Sequence, residues 1–204
     1  MKTIIIKDND LSYAVDAIKR GGLVAVPTET VYGLAANGLD ANAVARIYEV
    51  KGRPSVKPLS LLVSGIPAAE AFCAEIPDCA RQLAEAFWPG PLTMVLPRRG
   101  NVPDIVTAGG ATVGIRCPDH AVTLELMRLA GVPLAAPSAN PSDMPSPKTA
   151  SDVLAYFDGL IDFIIDGGEC ALGVESTIID LSVMPYKILR YGALAEDDIW
   201  SIIS

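Results

Sequence analysis

Two threonine hydroxyls, a carboxylate and a phenol stand together at Thr28, Glu29, Thr30 and Tyr32, directly after the apolar run Leu23-Val24-Ala25-Val26. That run carries two valines, with Gly21-Gly22 before it and Pro27 after it, and reads as a buried strand. A polar loop at a strand end is where open α/β sheets hold ligands. The same octapeptide, Pro27 to Leu34, also reads as a polar turn with one buried tyrosine.

Cations gather further on, in Lys51-Gly52-Arg53-Pro54-Ser55-Val56-Lys57-Pro58. Cations at the end of a helix complement its dipole, which is one account of them. The other rests on Pro54 and Pro58, which stiffen the segment, because fixed cations are what a polyphosphate needs. The stretch from Pro137 to Lys148 holds Ser138, Asn140 and four prolines. From composition alone it is a linker or domain boundary, yet apolar runs flank it on both sides and its prolines make it a stiff scaffold for hydroxyls and amides. Thr112 and Arg116 bound another apolar run, Ser176 precedes the next, and Arg190 closes the last. Neither G-x-x-x-x-G-K-[ST] nor G-x-G-x-x-G occurs, so a nucleotide site here is neither a P-loop nor a Rossmann fingerprint. G-x-S-x-G is absent as well, against an acyl-transfer hydrolase. His120 reads as a helix-start residue rather than a base or ligand.

The elements that must position these groups follow from periodicity. Strands are expected over 3–6, 23–26, 59–63, 92–96, 112–116, 132–136, 163–165, 177–181 and 187–191. Helices are expected over 11–20 with Asn9 or Asp10 as cap, 41–51 after Asp40, 121–130, 149–157 with Thr149 and Asp152 at capping-box spacing, and 196–203. The segment 68–87 reads as one or two helices broken at Pro77. No internal repeat and no convincing break divides the 204 residues, so one α/β domain over 1–204 is expected. Half the residues are hydrophobic and 20% are charged, enough for a substantial core. The net charge of −8 counts against a generic nucleic-acid or membrane surface but leaves room for a local basic groove. Four cysteines without C-x-x-C and a single histidine argue against a Cys/His metal site, and no residue is assigned to a metal. Reduced thiols, with no signal peptide or membrane span in the sequence, make a cytoplasmic protein the expectation.

Taken together, Pro27-Thr-Glu-Thr-Val-Tyr-Gly-Leu34, Lys51-Gly-Arg-Pro54, Pro137-Ser-Ala-Asn140, Pro145-Ser-Pro147, Glu175-Ser-Thr177 and Ile188-Leu-Arg190 resemble the threonylcarbamoyl-AMP synthase family, the YrdC-like proteins, in order and spacing. The resemblance runs from about Leu11 to Leu194. It implies a single-domain YrdC-like α/β fold, a mixed, twisted open sheet with flanking helices and a large cavity. The implied reaction joins L-threonine, bicarbonate and ATP, with Mg²⁺ on the phosphates, into L-threonylcarbamoyl-adenylate and pyrophosphate. Downstream proteins then transfer the threonylcarbamoyl group to tRNA. Residue by residue, the resemblance assigns threonine binding to Thr30, Arg116, Ser138 and Ser176. It assigns ATP binding to Arg53, Lys57, Thr112, Asn140, Lys148 and Arg190, and a catalytic role to Lys51 and Arg53. No general base stands out, which suits a reaction driven by positioning and charge.

The match has departures. Many family members carry a histidine near the threonine site where this chain has Leu62, with Ser64 nearby, so one contact to the amino acid is missing or replaced. The chain ends soon after Arg190, which implies a short form without the extra C-terminal domain of longer relatives. Two other readings compete. A carbamoyl-handling relative from hydrogenase maturation would carry acylphosphatase-like and Cys-rich segments, which are missing. An RNA-binding module, with possible RNA contact, would want a basic stripe or stacking aromatics, which an acidic chain does not offer.

Overall fold

Alternation of side chains across strands divides the core in two. In the computed structural model, which describes residues 2–7 and 10–203, Leu23 and Ala25 belong to one buried cluster while Val24 and Val26 belong to the other. The same two-residue switch recurs at Leu34/Ala35, Leu61/Leu62 and Ile164/Ile165. A strand shows this pattern when both faces are covered.

The strands are β1 (Ile4–Lys7), β2 (Val24–Val26), β3 (Gly33–Asn37), β4 (Ser60–Leu62), β5 (Leu92–Pro97), β6 (Thr112–Arg116), β7 (Leu134–Ala135), β8 (Phe163–Asp166), β9 (Thr177–Asp180) and β10 (Lys187–Arg190). They form one sheet in the order β1-β8-β2-β3-β7-β4-β6-β5-β9-β10. Pairing is mixed: β8 is parallel to both β1 and β2, β4 to β6 and β5 to β9, and the remaining neighbours are antiparallel.

The helices are α1 (Ser12–Lys19), α2 (Ala41–Lys51), α3 (Ile66–Ala69), α4 (Asp78–Phe87), α5 (Ala121–Ala130), α6 (Ala150–Phe157) and α7 (Glu196–Ile203). Helices α1 and α5 contribute Ala14, Ile18 and Leu126 to one face of the sheet. Helices α2, α4, α6 and α7 cover the other with Ile47, Leu83, Phe157 and Ile199.

Several helix ends follow their sequence signals. The Asp40 carboxylate accepts the backbone N–H groups of Asn42 and Ala43, and Gly52 ends α2 at φ 58°, where a Cβ would be strained. Thr149 and Asp152 form a reciprocal capping box. Pro77 precedes α4 as expected, but the first helix of the 68–87 segment is only the end of α3, Ile66–Ala69, and 70–77 is not helical. At α1 the flanking residue is Leu11; Asp10 instead accepts both the backbone N–H and the hydroxyl of Ser12, and Asn9 lies outside the described residues.

The octapeptide is not all loop. Its last two residues begin β3, which pairs antiparallel with β2, so the polar residues 27–32 connect two central strands. Strand β7 covers only part of 132–136.

Candidate active site

Strand and helix ends converge on a cavity of about 340 Å³, a size ordinary for small-molecule sites. Thr28 and Thr30 reach it from the β2–β3 connection and Arg116 from the end of β6. Lys51 and Arg53 come from the end of α2, Ser138 and Asn140 from the chain after β7, Ser176 from just before β9, and Arg190 from the end of β10. Lys57 lies on its rim. Five cations and two carboxylates, Asp143 and Glu175, line it, so an acidic chain has placed a cationic hollow at its centre. A second, apolar hollow beside Phe72 and Met127 has no such convergence of polar groups.

The floor is built from hydroxyls. Thr28 Oγ1 lies 2.8 Å from Thr30 Oγ1, and Thr30 Oγ1 accepts from Arg116 Nη2 at 2.9 Å. The same Nη2 donates to Glu29 Oε1 at 2.6 Å, and Arg116 Nε donates to the Gly90 carbonyl at 3.2 Å. The other Glu29 oxygen accepts the Asp119 backbone N–H. Arg116 is thus a held guanidinium, as Pro118 just beyond it leads one to expect. Glu29 itself does not line the cavity; it braces Arg116 from behind.

Lys51 stands in the last turn of α2, yet its ammonium does not serve that helix's carbonyls. It is buried, and Nζ donates to the carbonyls of Ser138 and Asn140. The dipole account of this residue is therefore corrected: Lys51 ties the end of α2 to the proline-rich segment. Burial, reinforced by the nearby Arg53 charge and opposed by Glu175, brings its pKa down to about 8. Arg53 is fixed differently, donating through Nε to the Lys57 carbonyl and through Nη2 to that of Pro58. The Tyr48 hydroxyl also donates to the Lys57 carbonyl. These bonds pin the backbone of the 53–58 loop and fix the Arg53 guanidinium, while the Lys57 ammonium stays half-exposed on the rim.

On the opposite wall Arg190 donates to Glu175 Oε2 at 2.6 Å, to Ser176 Oγ at 3.0 Å and to the Ser176 carbonyl at 2.9 Å. Ser176 Oγ also lies 2.8 Å from Thr93 Oγ1. Two acceptors face the site without a partner among the described residues: Asn140 Oδ1 and the Ser142 hydroxyl are both buried. Buried polar atoms of that kind are costly unless a ligand or water completes them.

Ten residues singled out from sequence, Thr30, Lys51, Arg53, Lys57, Arg116, Ser138, Asn140, Ser176, Arg190 and the neighbouring Thr28, line this one cavity. Thr112 and Lys148 do not. Thr112 sits two residues before Gly114, the β6 partner of Ser60 in β4, and the Lys148 stem lies against Gly173. Leu62, at the position where a histidine is common, is buried against the cavity wall. His120 flanks the start of α5 rather than the cavity. Sequence reasoning noted the Glu29 carboxylate but gave no site role to it or to Glu175, Thr93 and Ser142. The two glutamates stood inside the quoted motifs, where hydroxyls and cations drew the attention.

A mixed open sheet carrying a cation-lined hollow at its strand ends defines an α/β protein with a small-molecule pocket of positive character. Residues 16–192 match the Sua5/YciO/YrdC family model, described as telomere recombination, and the chain belongs to that family. It is 49% identical over 198 residues to the threonylcarbamoyl-AMP synthase of Pyrococcus abyssi, covering 97% of this chain and 58% of that protein. Its identity to the Bacillus subtilis threonylcarbamoyl-AMP synthase is 43% over 200 residues, or 96% of this chain and 57% of that one. The crystal structure of P. abyssi Sua5 complexed with L-threonine superposes with a TM-score of 0.96 at 47% identity, covering 100% of this chain and 61% of that one. The chain therefore spans less than two thirds of the length of these relatives.

Proposed function

We propose that the chain is an L-threonylcarbamoyladenylate synthase, a nucleotidyltransferase acting on L-threonine, bicarbonate and ATP. The threonine amine condenses with bicarbonate to a carbamate with loss of water. A carbamate oxygen then attacks the α-phosphorus, and the bond to pyrophosphate breaks. The observation that carries this reading is the pairing, in one cavity, of a braced guanidinium with a separate set of fixed cations.

Arg116 and the Thr30 hydroxyl offer what an amino-acid carboxylate needs: a fixed positive charge, with the Nη1 donors unengaged by the recorded bonds, beside a hydroxyl. The relatives at 43–49% identity carry the synthase name, and the P. abyssi structure holds L-threonine, which supports assigning Thr30, Arg116, Ser138 and Ser176 to that ligand. Arg53, Lys57 and Arg190 form the phosphate wall, where preorganised positive charge stabilises the crowded α-phosphorus. Asn140 Oδ1 and Ser142 Oγ are free for nucleotide or carbamate donors. Lys51 orders the backbone that presents Ser138 and Asn140. Thr112 and Lys148 join the nucleotide site only if the ligand reaches past the lining.

No cluster of three or more His, Cys, Asp or Glu side chains suited to a metal occurs among the described residues. Both cavity carboxylates already face cations. That donor set fits a Mg²⁺ carried in on the phosphates, not one caged by protein. Its chemistry there is charge neutralisation on the leaving pyrophosphate.

The four cysteines are free thiols and no helix among the described residues is long and apolar enough to cross a membrane, in keeping with a cytoplasmic role ahead of the proteins that transfer threonylcarbamoyl to tRNA. The test is pyrophosphate and AMP-product formation with threonine, bicarbonate, ATP and Mg²⁺ each omitted in turn. Product is expected only from the full mixture. Full-rate pyrophosphate release without threonine would make the chain a plain ATPase.

A further inference from the structure

Two anions stand near the phosphate wall; Asp143, 3.8 Å from Lys57, is largely exposed, and Glu175 is the one held among the cations. Glu175 lines the cavity, its Oε2 lies 2.6 Å from Arg190 Nη1, and its Oε1 accepts from the Ser146 hydroxyl at 2.9 Å. Its charge reaches further than that pair, raising the proton affinity of Lys51 and Arg53 as well as Arg190. A site designed only to hold polyphosphate tightly would have no use for a carboxylate among those cations, since like charges disfavour one another at short range.

We propose that Glu175 is a specificity residue that makes the cavity discriminate against metal-free polyphosphate in favour of its magnesium complex. This rests on the nucleotide reading given above. A bare triphosphate or pyrophosphate that approaches Arg190 must displace or oppose a carboxylate already seated there. A divalent cation on the phosphates cancels part of the incoming charge and with it most of the repulsion. The Ser146 hydrogen bond keeps Glu175 from swinging away, so the penalty on the bare ligand is retained. The same repulsion acts on pyrophosphate once it has lost its metal and so favours its departure.

Calorimetric titration of pyrophosphate and of ATP, each with excess Mg²⁺ and each with chelator, into wild type, Glu175→Gln and Glu175→Asp tests this. Glu175→Gln keeps the shape and removes the charge. It is expected to tighten binding of both metal-free ligands about 3- to 10-fold, the range for a partly exposed charge at close quarters. The magnesium complexes should change less than about twofold, and Glu175→Asp should keep the wild-type discrimination. Equal tightening with and without metal would overturn the proposal. So would weaker metal-free binding in Glu175→Gln, which would mean that Glu175 mainly holds Arg190 in place. Loss of the magnesium complexes alone would make it a metal ligand and overturn it too. Failure of wild type to bind either ligand in any condition would instead bring down the nucleotide reading, and this proposal with it. Threonine titration into the same proteins separates that result from misfolding.

Discussion

Glu29 Oε1 lies 2.6 Å from Arg116 Nη2, and both side chains are only 10% exposed. The carboxylate comes from the β2–β3 connection and the guanidinium from the end of β6, so this one pair locks two distant parts of the sheet at the cavity floor. Because the recorded bonds engage Nε and Nη2, an incoming carboxylate meets a guanidinium whose plane is already set. Preorganisation of this kind lowers the ordering cost of binding.

Arg116→Lys keeps the charge and loses the fork. An ammonium can face Glu29 or Thr30 but cannot also present to threonine the two N–H groups that Arg116 keeps on Nη1, which the recorded bonds leave unengaged. Threonine affinity should fall by about 1.5–3 kcal/mol, the usual worth of a charged hydrogen bond, with ATP affinity little changed. Calorimetric titration of each ligand decides it. Loss of ATP binding with threonine binding intact would move Arg116 to the phosphate site.

Glu29→Ala removes the brace and leaves a buried guanidinium with the Thr30 hydroxyl and the Gly90 carbonyl only. Breaking a buried ion pair from one side typically costs about 3–5 kcal/mol. Denaturant unfolding should show a loss of that size, together with weaker threonine binding. A variant as stable as wild type would mean that water reaches Arg116 freely.

Gly192→Ala tests how the chain just after β10 shapes the phosphate wall. A Cβ there would lie 2.4 Å from the Glu175 carbonyl oxygen and 2.4 Å from the Ser176 carbonyl carbon, both backbone atoms that have nowhere to go. The strain should cost about 1–3 kcal/mol. Nucleotide affinity should drop with it, because Arg190 and Ser176 are held by those same peptides. Thermal melting alongside ATP titration checks both effects.

Much of this arrangement could be read from residue order. Asp40 and Gly52 mark the ends of α2, Thr149 and Asp152 mark the start of α6, and the apolar runs locate nine of the ten strands. Strand β3 escapes because Gly33-Leu34-Ala35-Ala36-Asn37 has no β-branched residue. It is a strand because it lies between β2 and β7 and pairs with both; tertiary context overrides propensity there. The cations and hydroxyls of the site are legible as types, since few other roles explain so many at strand ends. Their partners are not. That Glu29 serves Arg116, Glu175 serves Arg190 and Lys51 serves two carbonyls depends on contacts between residues up to 89 positions apart. Local pattern carries no trace of such pairings.

Lys51 provides the sharpest test. From sequence its loss should cost turnover and hardly touch folding, since a cation at a helix end contributes only about 0.3–1 kcal/mol. The structure changes that expectation, because a buried ammonium holding the Ser138 and Asn140 carbonyls joins α2 to the wall of the site. Lys51→Met should therefore lower both stability, by about 2–4 kcal/mol for two orphaned carbonyls, and turnover. The ammonium also supplies positive charge to the cavity, and with a pKa of about 8 it loses that charge as the solution becomes alkaline. Turnover should fall as pH rises through about 8, and Lys51→Arg, if it folds, should move that limb upward. For folding the sign is opposite. The unfolded lysine keeps its proton up to its ordinary value of 10.5, so between about 8 and 10.5 the unfolded chain binds more protons and this group's contribution to stability grows with pH. Activity falling while this contribution to the unfolding free energy rises over the same interval would mark a single deprotonation at Lys51. A flat activity profile up to pH 10 would show that the ammonium keeps its proton and that the two carbonyls outweigh its burial.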